Sequence, residues 1–297
     1  MSDPVPVLVN RSGGTATAMG EKLGPELESA FEAAGVAIEL HLIEGKKLAA
    51  ALTKLADRPL VVIGGGDGTL GRLAGILVER STTLGILPLG TRNHLARELG
   101  IPLDLPGAAK VIAEGVDRAI DLARVNGEPF VNNASIGFYP QLVREREHRS
   151  APKWVAAIPA GIAALRRIKH HRLHLGWPQD DGEPDRDVVT PMLFVGNNHY
   201  ELEAGQLGKR HALDGGVLSV YAVASRRRLA LIGFALRTVI GRVHQHEDFA
   251  AIGDAAAFDV SGRSDTIDIA LDGEVMELKM PLHFECQARA LKVRVPA

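Results

Sequence analysis

The apolar run Leu60-Val61-Val62-Ile63 passes without interruption into Gly64-Gly65-Gly66-Asp67-Gly68-Thr69-Leu70. A strand that ends in a cluster of glycines, with helix-forming sequence directly after it, leaves few arrangements open. Glycine lets the backbone take positive φ and approach a ligand without interference from Cβ. The helix that follows offers free N–H groups and the positive end of its dipole, a combination that favours phosphate. Asp67 is placed to hold Mg²⁺ or a water against such phosphates, since Mg²⁺ takes hard oxygen ligands. Thr69 offers a hydroxyl at the helix start, either as a cap or to a phosphate oxygen. The turn is neither a Walker A loop nor the alternating-glycine dinucleotide pattern, because it lacks the Gly-Lys-Ser/Thr ending of the first and the spacing of the second. A tight strand-to-helix turn with no ligand is the plainer reading.

About twenty residues on, Leu84-Gly85-Ile86-Leu87-Pro88-Leu89-Gly90-Thr91-Arg92-Asn93 repeats the same strand, glycine and helix order. Strand-like and helix-like segments alternate through the first 120 or so residues. Strands are expected at 5–9, 36–43, 60–63 and 84–87, and helices at 15–34, 46–56, 70–78 and 93–99. That rhythm predicts a mainly parallel sheet with helices on both faces. Both glycine turns then fall at carboxyl ends of strands, where open α/β sheets bind ligands, and Thr91 and Asn93 face the same crevice as Asp67. After Asp121 the rhythm changes to short strand-like runs parted by Gly, Pro and Asp, at 130–136, 171–175, 191–196, 217–223, 257–260, 266–271 and 291–295. These predict an antiparallel sheet or sandwich, interrupted by helical pieces at 155–168 and 229–243. The expected organisation is an α/β domain over residues 1–124 and a β-rich domain over 125–297, with the last strand free to return to the first domain.

Composition narrows the function classes. The chain has 297 residues, 46% of them hydrophobic, and a formal charge of −2 from 34 basic and 36 acidic residues. That is enough apolar sequence for two packed cores, and no global field marks a nucleic-acid binder. One cysteine, Cys286, forms no intrachain disulfide and fits a reducing, cytoplasmic location. No run of roughly 18 apolar residues is present to span a bilayer. Membrane contact is therefore expected to be peripheral, with apolar segments 154–165 and 229–240 beside arginine clusters as candidates. The favoured reading of each segment is a helix that covers the sandwich, with solvated arginines at its ends.

The two turns, together with Asn10-Arg11-Ser12-Gly13 and Leu271-Asp272-Gly273-Glu274, resemble the diacylglycerol kinase catalytic-domain family, which includes soluble bacterial lipid kinases and the related sphingosine and ceramide kinases. The resemblance implies an α/β nucleotide-binding domain followed by a β-sandwich domain, with the active site between them, and ATP and Mg²⁺ as cofactors. It implies ATP contacts from Asn10, Arg11, Ser12, Gly13 and Gly14, from Gly65, Gly66, Asp67, Gly68, Thr69 and Leu70, and from Thr91 and Asn93. Glu274 falls where the family has its proton acceptor, with Asp272 beside it. Asp214 matches a metal-holding aspartate that works with the carbonyls of His211 and Gly216. The acceptor implied is a lipid hydroxyl at a membrane surface, diacylglycerol or a relative of it. Three positions depart from the pattern: Arg11 replaces a proline, Ile43 a threonine and His94 an aspartate. Asp121, at the domain junction, is placed to supply part of the charge lost at His94.

Read without the family, Asp272-Gly273 is first a hairpin signal. A carboxylate at such a turn can also orient an acceptor hydroxyl and take its proton. Asn132-Asn133-Ala134-Ser135 and Val195-Gly196-Asn197-Asn198 end strands in small or amide residues. These either line a crevice or satisfy loop backbone. The competing activities are an NAD kinase-like small-molecule kinase, whose Asn-Thr-Pro-Thr-Gly-Ser-Thr-Ala-Tyr stretch has no counterpart here, and a nucleotide-binding regulator without catalysis.

Overall fold

The computed structural model describes residues 3–137, 170–178, 185–201, 209–210, 212–223 and 249–297. The expected helical pieces at 155–168 and 229–243, and His211, lie outside the described residues. The chain divides into two compact units. The first takes Met1–Leu122, Glu128–Asn132 and Gln287–Ala297; the second takes Ala123–Gly127 and Asn133–Cys286.

The first unit runs β1 (Val5–Asn10), α1 (Gly14–Met19), α2 (Leu23–Ala33), β2 (Ile38–Ile43), α3 (Leu48–Leu55), β3 (Leu60–Gly65), α4 (Asp67–Arg80), β4 (Thr83–Pro88), α5 (His94–Glu98) and α6 (Leu105–Glu114). The strands lie in the order β2-β1-β3-β4, and each pairing among them is parallel. Right-handed crossovers in that order send α2 to one face and α3 and α4 to the other. The contacts agree, α2 packing on α6 and α3 on α4. Strands β1, β3 and β4 are covered on both faces, which is why they read as continuous apolar runs. The single helix expected over 15–34 is broken at Gly20, which has φ of 56°, into α1 and α2 joined by a 3₁₀ turn. Helix α6 has no forerunner in the sequence reading. Its N-cap Asp104 accepts the Gly107 N–H at 2.8 Å, and Pro106 sits in the first turn, both ordinary helix-start signals.

The chain leaves the first unit along β5 (Val116–Val125), followed by β6 (Glu128–Phe130) and β7 (Asn133–Gly137). The later strands are β8 (His171–Gly176), β9 (Arg186–Thr190), β10 (Met192–Asn197), β11 (Tyr200–Glu201), β12 (Lys209–Arg210), β13 (Leu218–Val223), β14 (Phe249–Ala255), β15 (Ala257–Gly262), β16 (Thr266–Leu271), β17 (Glu274–Lys279) and β18 (Leu282–Val295). Within the second unit they form a six-stranded antiparallel sheet, β14-β13-β10-β7-β16-β17, and a second antiparallel set in which the start of β18 pairs with β15, β15 with β8 and β8 with β9. The far end of β18 belongs to the first unit, where Val293 pairs with Leu84 of β4 in parallel. Strands β9, β14 and β17 and the length of β5 exceed what the sequence reading expected. Their faces mix polar and apolar residues, so hydrophobic runs alone do not reveal them.

An aromatic stack fastens the second antiparallel set. Phe258 lies parallel to Phe284, with centroids 4.9 Å apart, and stacks on Trp177 at 5.0 Å. All three are buried. Replacing Phe284 with alanine is expected to cost about 3–5 kcal/mol of stability, read as a lower urea midpoint at unchanged native secondary structure.

Candidate functional site: two glycine turns joined through one aspartate

The ends of β1, β3 and β4 carry the motifs singled out in the sequence, and the first unit brings them together. Thr15 N–H donates to the Leu89 carbonyl at 2.9 Å, and Leu89 N–H donates to the Gly65 carbonyl at 3.1 Å. Asn10 spans two loops: its Nδ2 donates to Thr69 Oγ1 at 3.4 Å, while its Oδ1 accepts from Ser12 N–H at 3.1 Å. Thr69 is buried and engaged in this way, with its backbone N–H bonded to the Gly66 carbonyl at 3.0 Å.

Asp67 occupies the first turn of α4, and both its carboxylate oxygens are committed. Oδ2 accepts the His94 N–H and Oδ1 the Leu95 N–H, each at 3.0 Å. The carboxylate therefore closes the start of α5 while sitting at the start of α4, and so joins the two glycine turns directly. An anion is well placed among helix-start N–H groups, and such charge-assisted bonds are among the stronger ones. Each oxygen keeps a further lone pair for a water or a cation. The departure from the family pattern at His94 leaves this link intact, because His94 takes part through its backbone.

The loops approach as closely as backbone allows. A Cβ built on Gly90 would lie 2.3 Å from the Gly66 Cα, so no other residue fits there. Asn93 has φ of 51° and is buried. Its Oδ1 accepts the Gly90 N–H at 2.8 Å and its Nδ2 reaches the carbonyls of Pro88 and Gly90 at 3.0 Å, so its amide shapes this loop. Gly68 and Leu70 fall inside α4. Thr91, Arg11, Ser12 and Gly14 are exposed and Gly13 is half-buried. Arg11 pairs with Glu44 at 3.3 Å. The N–H groups of Asp67 and Gly68 belong to the first turn of α4, where no intrahelical carbonyl can meet them. The result is a close-set group of backbone N–H donors at the ends of β3 and β4.

In the second unit, Asp272 and Gly273 are the two central residues of the β16–β17 hairpin, with φ of 49° and 90°. Positive φ at both positions is the primed turn that favours Asp-Gly. Asp272 also bonds to the start of β7: its N–H donates to the Asn133 carbonyl at 2.9 Å, and its Oδ1 accepts the Asn133 N–H at 3.1 Å. Glu274, the first residue of β17, is exposed. Asn133, an amide with two open readings in the sequence, thus anchors the turn that carries Glu274. Asp214 and Gly216 lie in the loop before β13, where Gly215 N–H donates to Asn198 Oδ1 at 2.8 Å. Among the described residues no group of three or more His, Cys, Asp or Glu side chains is gathered as a metal site. Asp121 is buried and accepts the Arg289 N–H at 2.7 Å.

The first unit is an open α/β sheet whose glycine turns converge at strand ends, where folds of this class bind ligands, and comparison with known proteins identifies the family. The diacylglycerol kinase catalytic domain model matches residues 4–125. A "Probable lipid kinase YegS-like" from Pseudomonas aeruginosa strain PAO1 is 30% identical over 240 residues, covering 80% of this chain and 76% of that protein. The chain belongs to the diacylglycerol kinase catalytic-domain family. It is similar as well to the protein of the same description from Klebsiella pneumoniae strain 342, at 40% identity over 151 residues. That match spans half of this chain and 46% of the relative. A crystal structure titled as a diacylglycerol kinase from Bacillus anthracis str. Sterne superposes with a TM-score of 0.67 at 20% identity, covering 98% of this chain and 96% of that one, and shares the fold. The family places the chain among kinases. Among the described residues no helix is long and apolar enough to cross a membrane.

Asp67→Ala removes both bonds to the α5 N–H groups and leaves two donors at a part-buried site. It is expected to cost about 2–3 kcal/mol, whereas Asp67→Asn, which keeps one acceptor oxygen, should cost less. Urea unfolding of the three proteins checks the order.

Proposed function

We propose that the chain is an ATP-dependent lipid kinase that transfers the γ-phosphate to a lipid hydroxyl, that of diacylglycerol or a related lipid. The observation that carries this reading is the junction of the two glycine turns through the Asp67 carboxylate, which fixes a set of backbone N–H groups before any ligand arrives. Preorganised donors of this kind stabilise phosphoryl charge without reorganising during the reaction. Asn10, the exposed residues 11–14, the Gly65–Leu70 turn and Thr91 surround the phosphates in this reading. Asn93 acts by shaping its loop.

Magnesium fits the donors present. Mg²⁺ is commonly held by one or two carboxylates together with substrate phosphates, and the free lone pairs of Asp67 supply such an oxygen. When bound, it neutralises charge on the phosphates. Asp214, with the carbonyls of Gly216 and His211, is proposed for a second cation that steadies the loop before β13.

On the acceptor side, Glu274 orients the lipid hydroxyl and takes its proton as the oxygen attacks phosphorus. Asp272 holds the turn in register through Asn133. The reading places the working protein at a membrane surface from the cytoplasmic side. Relatives described as lipid kinases favour it over an NAD kinase-like activity.

Incubating the protein with γ-labelled ATP, Mg²⁺ and a panel of lipid alcohols should transfer label into extractable lipid. A protein that binds ATP yet labels no lipid is a regulator, and the kinase reading then fails. Glu274→Gln should lower kcat by about 100- to 10,000-fold with an unchanged melting temperature. Near-normal turnover in that variant assigns the base elsewhere.

A further inference from the structure

Strand β2 ends the parallel sheet of the first unit, and among the described residues no strand pairs with it on the side away from β1. Two bonds at its ends tell which of its backbone groups are left over. Val5 N–H donates to the Ala37 carbonyl at 2.8 Å, and Arg11 N–H donates to the Ile43 carbonyl at 3.1 Å. Successive residues of a strand turn their N–H and C=O groups to opposite sides, so residues 37, 39, 41 and 43 serve β1. The backbone groups of Ile38, Leu40 and Leu42 then point outward, a row open to another strand.

Side chains alternate as well, between the two faces of the sheet. Ile38, Leu40 and Leu42 share one face. A Cβ built on Gly24 would lie 3.7 Å from Leu42 Cδ1, so this face meets α2, yet Leu42 remains 41% exposed. Glu39 and His41 share the other face, where His41 Nε2 stands 3.1 Å from Glu39 Oε1 without a hydrogen bond between them. The run Ile38-Glu39-Leu40-His41-Leu42 therefore has mirrored chemistry about Leu40: apolar ends and centre, with an acid on one side and a base on the other. Charges on an edge strand commonly discourage pairing with another chain. Here they are opposite in kind and equally far from the centre, so they favour one alignment and oppose its neighbours.

We infer that β2 is an interface for a second copy of this chain, the two strands running antiparallel about a two-fold axis at Leu40. An antiparallel neighbour pairs outward residues with outward residues, so the axis passes through a residue and never between two. An axis at Glu39 sets the two Glu39 carboxylates against each other. An axis at His41 does the same to the imidazoles and leaves Glu39 opposite Ile43. With the axis at Leu40, backbone bonds form between the two Leu40 residues and between Ile38 and Leu42, and the apolar side chains meet on one face. Glu39 of each copy then lies across from His41 of the other, in non-hydrogen-bonded pairs whose Cα atoms approach to about 4.5 Å. Such an interface is isologous and closes at two copies.

Sedimentation equilibrium of the full chain across the micromolar range is expected to show a monomer–dimer equilibrium. His41→Glu sets Glu against Glu at both mirrored places and should weaken the dimer by about 10-fold. Exchanging the pair, Glu39→His together with His41→Glu, should restore wild-type strength, because the axis pairs position 39 with position 41. Leu40→Pro removes an outward N–H, which an edge strand tolerates, and should leave a monomer with wild-type far-UV circular dichroism. A wild-type chain that stays monomeric or grows beyond a dimer would overturn the inference. So would a His41→Glu dimer as tight as wild type, an exchange that fails to restore the dimer, or a folded Leu40→Pro chain that still dimerises. Should Leu40→Pro fail to fold, the charge series decides.

Discussion

The first unit depends on one carboxylate serving two helices. Asp67 lies in the opening turn of α4 and accepts the first N–H groups of α5. A glycine turn on its own is a soft element, because the residues that permit its shape also let it wander. Joining two such turns through charge-assisted bonds removes that freedom from both at once. The Gly66–Gly90 approach, the Asn10–Thr69 bond and the Asn93 bonds then settle around a fixed frame. The same groups that stiffen the loops also set the direction of the N–H donors left at the start of α4.

Much of this was legible in the sequence, for a physical reason. Strands β3 and β4 are buried on both faces, so they read as unbroken apolar runs, and the glycines that end them mark turns where backbone must come close to backbone. The change from parallel to antiparallel structure near Leu122 showed as a change in spacing. The partner of Asp67 did not show. A carboxylate that bonds to backbone N–H groups 27 and 28 residues away leaves no side-chain signature, because any residue has an N–H. The tie between Asp272 and Asn133, 139 residues apart, is hidden in the same way. Strands β9 and β17 were missed because both faces carry polar residues.

The Asp-Gly pair at 272–273 does two structural jobs at once. It forms the tight hairpin that its composition favours, and its aspartate also bridges to another strand. A turn braced on two sides holds the next residue, Glu274, in a defined place. An ordinary hairpin tip would leave that side chain on a mobile end.

Strand β18 begins in one unit and ends in the other, and its final residues lie beside β4. Until those residues leave the ribosome, β4 has an open edge toward that side, and the nucleus formed by β1 to β4 waits for sequence some two hundred positions downstream. A fragment cut after the first 132 residues would keep every glycine turn yet lose that neighbour. Strand β18 thus acts as a late fastener for the sheet that carries the glycine turns.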